Sequence, residues 1–280
     1  MLTVIDILKR TTEHFQKAGL EKSKVDAEWV LAHGLGCKRL ELYLQFERPL
    51  SSEELEPMRE MVRRRAKREP LQYILGETGF HELQLKVRPG ALIPRPESEE
   101  LVELLLNLAK TTPPQRIIDL GTGSGAIALA LAKQLQNAEI LATDASAEAL
   151  ELARENAVHC QLDGRVQFTD SNWLDGIEGN FDWIVSNPPY LTEAEWNEAA
   201  PEVREFEPKS ALVADEDGLA DLYQILSQAL PRLNSGGLVA CETGIAQHPQ
   251  LAERAKQLGY ARWESRPDFS GRDRFFIAWK

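Results

Sequence analysis

One tetrad in the chain combines hydrogen-bond acceptors with a flat aromatic ring: Asn187-Pro188-Pro189-Tyr190. The side-chain oxygen of Asn187 and the carbonyl oxygen of Pro188 can each accept a bond from a planar NH₂ group, which turns its nitrogen lone pair toward an electrophile. Neither proline has an N–H that would compete, and Tyr190 can stack on the flat acceptor. The tetrad predicts group transfer to an amide or aromatic amine nitrogen. An ordinary proline turn is the alternative.

The acceptor nitrogen of such a group is a poor nucleophile because its lone pair is delocalised. Once alkylated it is strongly acidic, so its proton can leave without a dedicated strong base. The chain places no histidine near the tetrad, which agrees with this chemistry. Asn187, Pro188 and Tyr190 are the predicted catalytic residues, and Pro189 joins them in the predicted substrate site.

A glycine-rich turn lies earlier in the chain, between a predicted strand and a predicted helix. It consists of Gly121, Thr122, Gly123, Ser124 and Gly125. Such a turn lets a ligand approach backbone N–H groups at the start of a helix. Asp144 ends the next predicted strand, where an acidic side chain binds the two hydroxyls of an adenosine ribose. Together they predict a nucleoside cofactor, either NAD or S-adenosylmethionine, with a glycine turn and a helix cap as the alternative.

The spacing Asp-x-Gly-x-Gly-x-Gly, which begins at Asp119, resembles the cofactor motif of class I methyltransferases. Asp119 can interact with the cationic methionine portion of S-adenosylmethionine, whereas it would repel the pyrophosphate of NAD. Trp173 follows the third predicted strand, where an aromatic ring can stack on adenine. Packing in the core is the alternative for Trp173.

Apolar patterning separates a helical region from a region in which strands and helices alternate. Residues 1–72 predict a bundle of four or five short helices, and residues 73–92 predict a β-hairpin linker. Residues 93–280 predict an α/β fold, with a mostly parallel seven-stranded sheet and helices on both faces. A short connection before the last strand predicts an antiparallel hairpin at one edge. The predicted strands are 116–120, 139–143, 165–169, 182–186, 237–242, 261–265 and 274–279.

The charge of the chain is unevenly distributed. The 280 residues include 32 Lys or Arg and 44 Asp or Glu, a net charge of −12. Residues 1–80 hold 14 basic and 13 acidic side chains, so that part is +1 and the remainder is −13. This argues against a broad nucleic-acid-binding surface, which needs Lys and Arg to neutralise phosphates. The one dense basic run, residues 63–68, is either an ion-paired helix face or a phosphate-contacting patch.

Composition predicts a soluble, cytoplasmic protein. No stretch approaches the roughly 18 apolar residues that span a bilayer, and the first residues lack the pattern of a cleavable signal. Cys37, Cys160 and Cys241 are isolated from one another, so they predict reduced packing residues. No metal site is predicted, and a monomer is the default expectation.

The residues also carry a resemblance to a known family. Over nearly its whole length the chain resembles the HemK/PrmC-type class I methyltransferases that modify peptide chain release factors. Beside the glycine turn and the tetrad, the segments that carry the resemblance are QYILG at 72–76, LIPRPE at 92–97 and FEP at 206–208.

The resemblance implies a Rossmann-like methyltransferase fold with S-adenosyl-L-methionine as cofactor. It implies methylation of N5 of the glutamine in the GGQ motif of release factors, which modulates translation termination, with the N-terminal helices docking the substrate. Asn187 would then contact cofactor and substrate alike. Arg95 and Glu97 would shape the site entrance, or instead form an internal pair that braces the hairpin. Asn172 departs from the family, where an acidic residue is frequent, although an amide can still accept a bond from adenine.

Other functions fit the sequence less well. Methylation of an exocyclic amine of a DNA or RNA base uses a related tetrad, but it calls for a basic surface that the −13 region lacks. NAD-dependent hydride transfer leaves the tetrad unexplained. A catalytically silent adapter leaves the glycine turn, Asp144 and the tetrad all unexplained.

Overall fold

The computed structural model describes residues 2–280, which form two compact units. The first unit comprises the chain up to Gly76 together with Ala200–Phe206. The second comprises Glu77–Ala199 and Glu207–Lys280. The assignment of separate functions to residues 1–72, 73–92 and 93–280 stays a prediction. Among the described residues, no helix has both the length and the apolar character needed to cross a membrane.

Helices dominate the first unit, and strands alternate with helices in the second. The helices are α1 (Val4–Lys17), α2 (Ser23–Gly34), α3 (Ser52–Ala66), α4 (Leu71–Leu75), α5 (Pro96–Ala109), α6 (Ala126–Gln134), α7 (Ala147–His159), α8 (Glu193–Glu198), α9 (Pro201–Phe206), α10 (Asp215–Gly218), α11 (Ala220–Arg232) and α12 (His248–Leu258). The strands are β1 (Glu77–Phe80), β2 (Leu83–Lys86), β3 (Arg116–Leu120), β4 (Glu139–Asp144), β5 (Val166–Asp170), β6 (Phe181–Ser186), β7 (Leu233–Glu242), β8 (Arg262–Pro267) and β9 (Asp273–Trp279). Short 3₁₀ helices cover Arg39–Leu44 and Lys209–Ala211.

The first unit is a bundle of short helices with well-capped starts. The Thr3 hydroxyl accepts a bond from the Asp6 N–H at the start of α1, and the Asp6 carboxylate accepts the Thr3 N–H in return. Ser51 and Glu54 make the same reciprocal pair at the start of α3. Apolar side chains of α1, α2 and α3 pack into a shared core around the buried Phe15. The predicted bundle of four or five short helices is confirmed.

A segment from the later part of the chain, Ala200–Phe206, belongs to this first unit. The Glu202 carboxylate accepts bonds from Arg65 at 2.9 Å and from Arg68 at 2.7 Å. The Arg65 side chain is only 10% exposed and also donates to Asp26 at 2.8 Å. Pairs this buried are costly to break, because removing one partner leaves an uncompensated charge. The residues that follow the tetrad therefore return to the helical unit.

The basic run at residues 63–68 is largely taken up by ion pairs. Arg63 donates to Glu60 at 2.6 Å, and Arg64 donates to Glu69 at 2.5 Å. Arg65 and Arg68 make the contacts described above. The structure therefore favours the ion-paired helix face over a phosphate-contacting patch.

The second unit is built around a sheet of seven strands in the order β5-β4-β3-β6-β7-β9-β8. Strands β3 to β7 pair in parallel, whereas β9 is antiparallel to both of its neighbours. The predicted fold class and the antiparallel edge hairpin are confirmed. Strand β7 begins at Leu233, earlier than predicted, because Leu233 pairs with Phe181 ahead of a register shift. Apolar side chains of α5 and α6 cover one face, and those of α11 and α12 cover the other.

The stretch between β6 and α11 has no predicted regular element, yet it contains α8, α9 and α10. These helices are short, and α8 buries no residue at all. So little burial leaves no apolar periodicity in the sequence. The stretch is anchored instead by backbone bonds, including an isolated parallel bridge between Leu191 and Val213.

Candidate active site

A cavity of about 550 Å³ opens in the second unit beside the carboxyl ends of β3, β4 and β6. The strand order reverses between β3 and β6, which is where open α/β sheets bind their ligands. The predicted site residues that line it are Arg95, Gly121, Thr122, Gly123, Ser124, Asp144, Trp173, Asn187 and Pro189. The predicted site residues that do not line it are Glu97, Asp119, Gly125, Pro188 and Tyr190.

The glycine-rich turn is held in shape by its own neighbours. Gly121 has a φ of 67°, and a Cβ atom there would lie 3.2 Å from the Trp173 ring. The N–H of Thr122 donates to a carbonyl of β4, and the N–H of Gly123 donates to the Asp144 carboxylate, each at 2.8 Å. A turn that binds pyrophosphate uses its N–H groups for the ligand. Two of them are spent internally here, which fits a nucleoside without a pyrophosphate better.

Asp119 lies beneath this turn rather than in the cavity wall. It is 1% exposed, and its Oδ2 accepts bonds from the Thr122 hydroxyl at 2.7 Å and the Ala128 N–H at 3.2 Å. Burial raises the pKa of Asp119 to about 7. Its position makes Asp119 a brace for the turn, and the cavity lining gives no support to its predicted contact with a methionine cation.

Asp144 ends β4 and does line the cavity. Its Oδ2 accepts the Gly123 N–H and its Oδ1 accepts the Ser146 N–H at 2.9 Å. Burial raises the pKa of Asp144 from its ordinary value. The Ala145 N–H also bonds to this carboxylate. An ionised carboxylate offers about four acceptor positions, so about one remains to accept a bond from a ribose hydroxyl.

Trp173 combines a core contact with a cavity surface. Its backbone has a φ of 52°, unusual for a non-glycine residue, and the Ser171 hydroxyl donates to its carbonyl at 3.0 Å. The ring packs against a core cluster and also lines the cavity, with its side chain bonded to Asp221. Burial raises the pKa of that carboxyl. The two interpretations left open by the sequence are therefore compatible, because the same ring serves both surfaces.

Asn187 reaches the cavity with its side-chain amide already oriented. Its Nδ2 donates to the Ser98 hydroxyl oxygen at 3.0 Å, and Ser98 lies near the start of α5. The amide nitrogen is thus directed at α5. The Oδ1 atom of Asn187 remains available as an acceptor.

Behind the tetrad lies a carboxylate that the sequence did not point to. Glu242, at the end of β7, is 1% exposed. Its Oε2 accepts the Ser98 hydroxyl at 2.7 Å and its Oε1 accepts the Tyr190 hydroxyl at 2.9 Å. Burial raises the pKa of Glu242 and also that of Tyr190. The phenol stays protonated and donates, which fixes the Tyr190 ring at the edge of the site.

The backbone of the tetrad is clamped as well. The Tyr190 N–H donates to the Leu212 carbonyl at 3.2 Å, and Gln247 donates through Nε2 to the Tyr190 carbonyl at 3.0 Å. A Cβ atom on Gly218 would lie 2.2 Å from that same carbonyl oxygen. Only a glycine fits there, so the end of α10 approaches the tetrad as closely as backbone can.

Arg95 has a different partner from the one considered for it in the sequence. The suggested internal pair with Glu97 is wrong: Arg95 donates to Glu207 at 2.6 Å. The Glu207 side chain is 1% exposed and also accepts the Ile93 N–H at 3.3 Å. The contact joins the LIPRPE segment to the FEP segment, so two of the segments that carry the family resemblance are physically one structure.

Sequence reasoning missed the four supporting residues Ser98, Glu207, Glu242 and Gln247. Glu207 lay within a segment already quoted, and Ser98 directly follows another. Glu242 had one available signal, an acidic residue ending a buried apolar strand at the ligand-binding edge of the sheet. Gln247 had none.

Comparison with known proteins gives the family. Residues 6–76 match the model of the PrmC N-terminal domain, and residues 99–206 match that of the methyltransferase small domain. Among solved structures, the fold is similar to the catalytic domain of hMettl16 in complex with the MAT2A 3′UTR hairpin 6, with a TM-score of 0.60 and 20% identity over 80% of this chain and 82% of that one. It is also similar to a methyltransferase from Pyrococcus furiosus, with a TM-score of 0.52 and 24% identity over 71% of this chain and 89% of that one. These structures show the fold.

Curated relatives match nearly from end to end. A release factor glutamine methyltransferase of Rhodopirellula baltica is 38% identical, covering 97% of this chain and 94% of the relative. Those of Geobacter sulfurreducens and Vibrio cholerae are 39% and 40% identical, covering 97% and 98% of this chain and 95% of each relative. Identity at this level over both units and the whole site leaves one assignment: the chain belongs to the release factor glutamine methyltransferase family.

Proposed function

We propose that this protein transfers a methyl group from S-adenosyl-L-methionine to the side-chain amide nitrogen, N5, of the glutamine in the GGQ motif of peptide chain release factors. Family membership supports the substrate. The observation that carries the chemistry is the bond from Asn187 Nδ2 to Ser98, because it leaves Asn187 Oδ1 free to accept an N–H from a planar amide.

The residues around the cavity fit the cofactor. Asp144 retains an acceptor position for a ribose hydroxyl, and the Trp173 ring together with the open space at Gly123 suits a flat adenine. Asn172 lines the cavity beside Trp173 and offers an amide to the adenine edge. When bound, S-adenosylmethionine supplies an electrophilic methyl group on a cationic sulfur.

The tetrad acts on the acceptor amide. Asn187 Oδ1 and the Pro188 carbonyl hold its two N–H bonds, and the Tyr190 ring supports its plane, so the nitrogen lone pair faces the methyl donor. The nitrogen forms one N–C bond as the C–S bond breaks, and the bonding pair stays on sulfur. The nitrogen then loses one proton to water, since an N-alkylated amide cation is strongly acidic. Secondary amide and S-adenosylhomocysteine are the products.

We assign substrate docking to the helical range 1–72. The first unit exposes large apolar side chains on α2 and the following 3₁₀ helix: Trp29 at 43%, Leu40 at 79%, Tyr43 at 44% and Leu44 at 86%. A concentration of exposed large apolar side chains on two successive elements is typical of protein interaction sites. A release factor is the partner that the proposed reaction requires, and a role in translation termination would place the enzyme in the cytoplasm. A monomer remains the default expectation.

A matched pair of variants tests this docking role. Leu44→Ser should raise the KM for release factor about tenfold, with kcat and cofactor affinity unchanged, because one interface side chain is worth about 1–2 kcal/mol. Val158→Ser is the control, since Val158 is 65% exposed but lies on α7 in the other unit. An equal effect of both variants on KM would remove the docking role from the helical unit.

The central test is methylation itself. Methyl-labelled cofactor, incubated with purified release factor and this protein, should label the GGQ glutamine, as located by peptide mass spectrometry. Labelling of adenine or guanine in added DNA or RNA, with release factor unmodified, would reverse the assignment in favour of a nucleobase substrate.

A further inference from the structure

Four side chains from separate parts of the second unit form one chain of hydrogen bonds. Asn187 Nδ2 donates to Ser98 Oγ at 3.0 Å, and Ser98 Oγ donates to Glu242 Oε2 at 2.7 Å. The Tyr190 hydroxyl donates to Glu242 Oε1 at 2.9 Å. Ser98 is 4% exposed and Glu242 is 1% exposed, so water does not substitute for these contacts.

Glu242 is the final acceptor in this series of hydrogen bonds, and its chemistry fixes the direction of every bond in the series. An ionised carboxylate can only accept, so both hydroxyl hydrogens must point at Glu242. Ser98 has a single hydrogen, and once that is given to Glu242 only oxygen lone pairs face Asn187. The Asn187 amide must then present its NH₂ group to Ser98. Its oxygen is thereby left on the side that serves a substrate amide.

We infer that Ser98 and Glu242 are positioning residues, which set the amide orientation of Asn187 so that its oxygen, and not its nitrogen, faces the acceptor nitrogen of the substrate. The inference rests on the proposed function, because the correct orientation is defined by a substrate that donates N–H bonds. A flipped Asn187 would offer a donor to a donor and would not hold the glutamine. Glu242 lies outside the cavity lining, whereas Ser98 lies in it, and in this role both act through Asn187.

Protonation of Glu242 should favour the reversed orientation of the Asn187 amide. A protonated carboxyl can donate to Ser98, whose hydrogen then turns to Asn187 and favours the flipped amide. Burial raises the pKa of Glu242, and Glu97 on α5 acts in the same direction, whereas the Arg274 guanidinium on β9 opposes them. Tyr190 faces the carboxylate as a neutral donor. His248 on α12 bonds to Thr243 instead.

The sign of the pH effect follows from this arrangement. Above the pKa of Glu242 the carboxylate is ionised and the amide is correctly oriented. As the pH falls through that pKa, kcat at saturating cofactor should fall. Asp119 and Asp144 also have raised pKa values, so the acid limb due to Glu242 is the one that Glu242→Gln removes.

Variants of the two residues test the inference in the full-length protein. Ser98→Ala should lower kcat about 30-fold, with the KM for release factor and the Kd for cofactor within about threefold of wild type. Ser98→Thr retains the hydroxyl and should recover most of that loss. Glu242→Gln should lower kcat about tenfold and remove the acid limb of the kcat profile. Ser98 and Tyr190 bond to different oxygens of Glu242, so the amide NH₂ group of the variant would face one of these two hydroxyls as a donor.

Two controls separate orientation from general loss of structure. Ser227→Ala removes the hydroxyl of a helical serine that also makes two bonds. Ser227 donates to the Tyr223 carbonyl and accepts from Arg254, and none of these three residues belongs to the candidate site. Asp182→Asn makes the same carboxyl-to-amide change as Glu242→Gln at the amino end of β6. Each should alter thermal stability without moving kcat or its pH profile.

A measurement without substrate distinguishes failure of the inference from failure of the proposed function. The side-chain NH₂ resonances of Asn187, assigned by their loss in Asn187→Asp, should show slow exchange in wild type and faster exchange in Ser98→Ala. If wild type shows the slowly exchanging Asn187 amide but does not methylate release factor, the proposed function is overturned and the inferred orientation of Asn187 stands. Any of three results would overturn the inference. These are fast exchange of the Asn187 amide in wild type, a wild-type kcat in Ser98→Ala, and an acid limb that persists in Glu242→Gln.

Discussion

The two halves of the candidate site are built from contacts of very different range. On the cofactor side, the bond from Ser146 to Asp144 spans 2 residues of sequence, that from Thr122 to Asp119 spans 3 and that from Gly123 to Asp144 spans 21. On the acceptor side, the separations are 89 residues for Asn187 with Ser98, 112 for Arg95 with Glu207 and 144 for Ser98 with Glu242.

This difference has a structural consequence. The glycine-rich turn and Asp144 belong to one strand-turn-helix unit and its neighbour, so their geometry follows once β3 and β4 pair. The acceptor half exists only when α5, β6, β7 and the FEP segment have all assembled. Substitutions in the first half should therefore act on cofactor binding, and those in the second on turnover of the protein substrate.

The largest expected effect is on the acceptor side. Asn187→Ala removes the oxygen that holds the substrate amide and should lower the methylation rate by about 1,000-fold or more. Cofactor affinity, measured by calorimetry, should stay within about threefold of wild type. Asn234→Ala, which removes an amide bonded to Asp182, is the control and should leave the rate unchanged. If Asn187→Ala lost cofactor binding to the same extent as methylation, the cofactor half and the acceptor half of the site would not be separable in function.

A glycine substitution tests the cofactor side. Gly121→Ala forces a Cβ to 3.2 Å from the Trp173 ring at a φ of 67°, so it should weaken cofactor binding about 100-fold. Gly164→Ala is the matched control, because Gly164 has a φ of 78° but nothing within 4 Å of the new Cβ. The control should cost about 1 kcal/mol of stability and leave cofactor affinity intact. Equal losses of affinity would mean that backbone strain, and not the contact with Trp173, controls the site.

A buried ion pair gives the next effect in size. Glu207→Gln leaves Arg95 without its counter-charge in the cavity wall, and should reduce stability by about 2 kcal/mol and kcat/KM for release factor about tenfold. Glu193→Gln removes an exposed pair with Lys209 and should change stability by less than about 1 kcal/mol. Thermal unfolding and steady-state kinetics give both quantities. Similar values for the two variants would show that the FEP contact is dispensable.

The smallest effect concerns Asp119. Its folded pKa of about 7 exceeds the usual value near 3.8, so its contribution to stability is full below about pH 4 and is lost as the pH rises through 7. Asp119→Asn keeps an acceptor that does not ionise, and should flatten this fall in melting temperature between pH 5 and 8. Because Asp119 lies outside the cavity lining, cofactor affinity should change less than tenfold. A larger loss would restore the predicted contact with the methionine cation.

Asp182, a carboxyl whose pKa shifts in the opposite direction, serves as the control for Asp119. Burial alone would raise the pKa of Asp182, but bonds from Asn234 and from the N–H groups of Arg116 and Gln115 lower it. Its contribution to stability is therefore present above about pH 4 and lost as the pH falls further. Asp182→Asn should flatten the acid side of the stability profile and leave the region from pH 5 to 8 unchanged.

Regular elements with strong periodicity were predictable from the sequence. All seven strands of the sheet lie where alternating apolar residues and glycine turns placed them, with shifts of one to a few residues. The short helices α8 and α9 were not predictable, because they bury no residues within their own spans. Their positions depend on bonds such as Lys209 with Glu193 and Glu202 with Arg65.

The sequence alone determined the cofactor turn, the acid of β4, the acceptor tetrad and the family that these imply. It could do so because a turn and its strand are defined by residue type at short spacing. Only the tertiary structure decided that Asp119 braces the turn, that Glu207 is the partner of Arg95, and that Ser98 and Glu242 direct Asn187. The role of Asp119 depends on its burial beneath the turn, and the other two roles depend on partners 89 or more residues away. No spacing rule encodes which distant side chain will share a buried site.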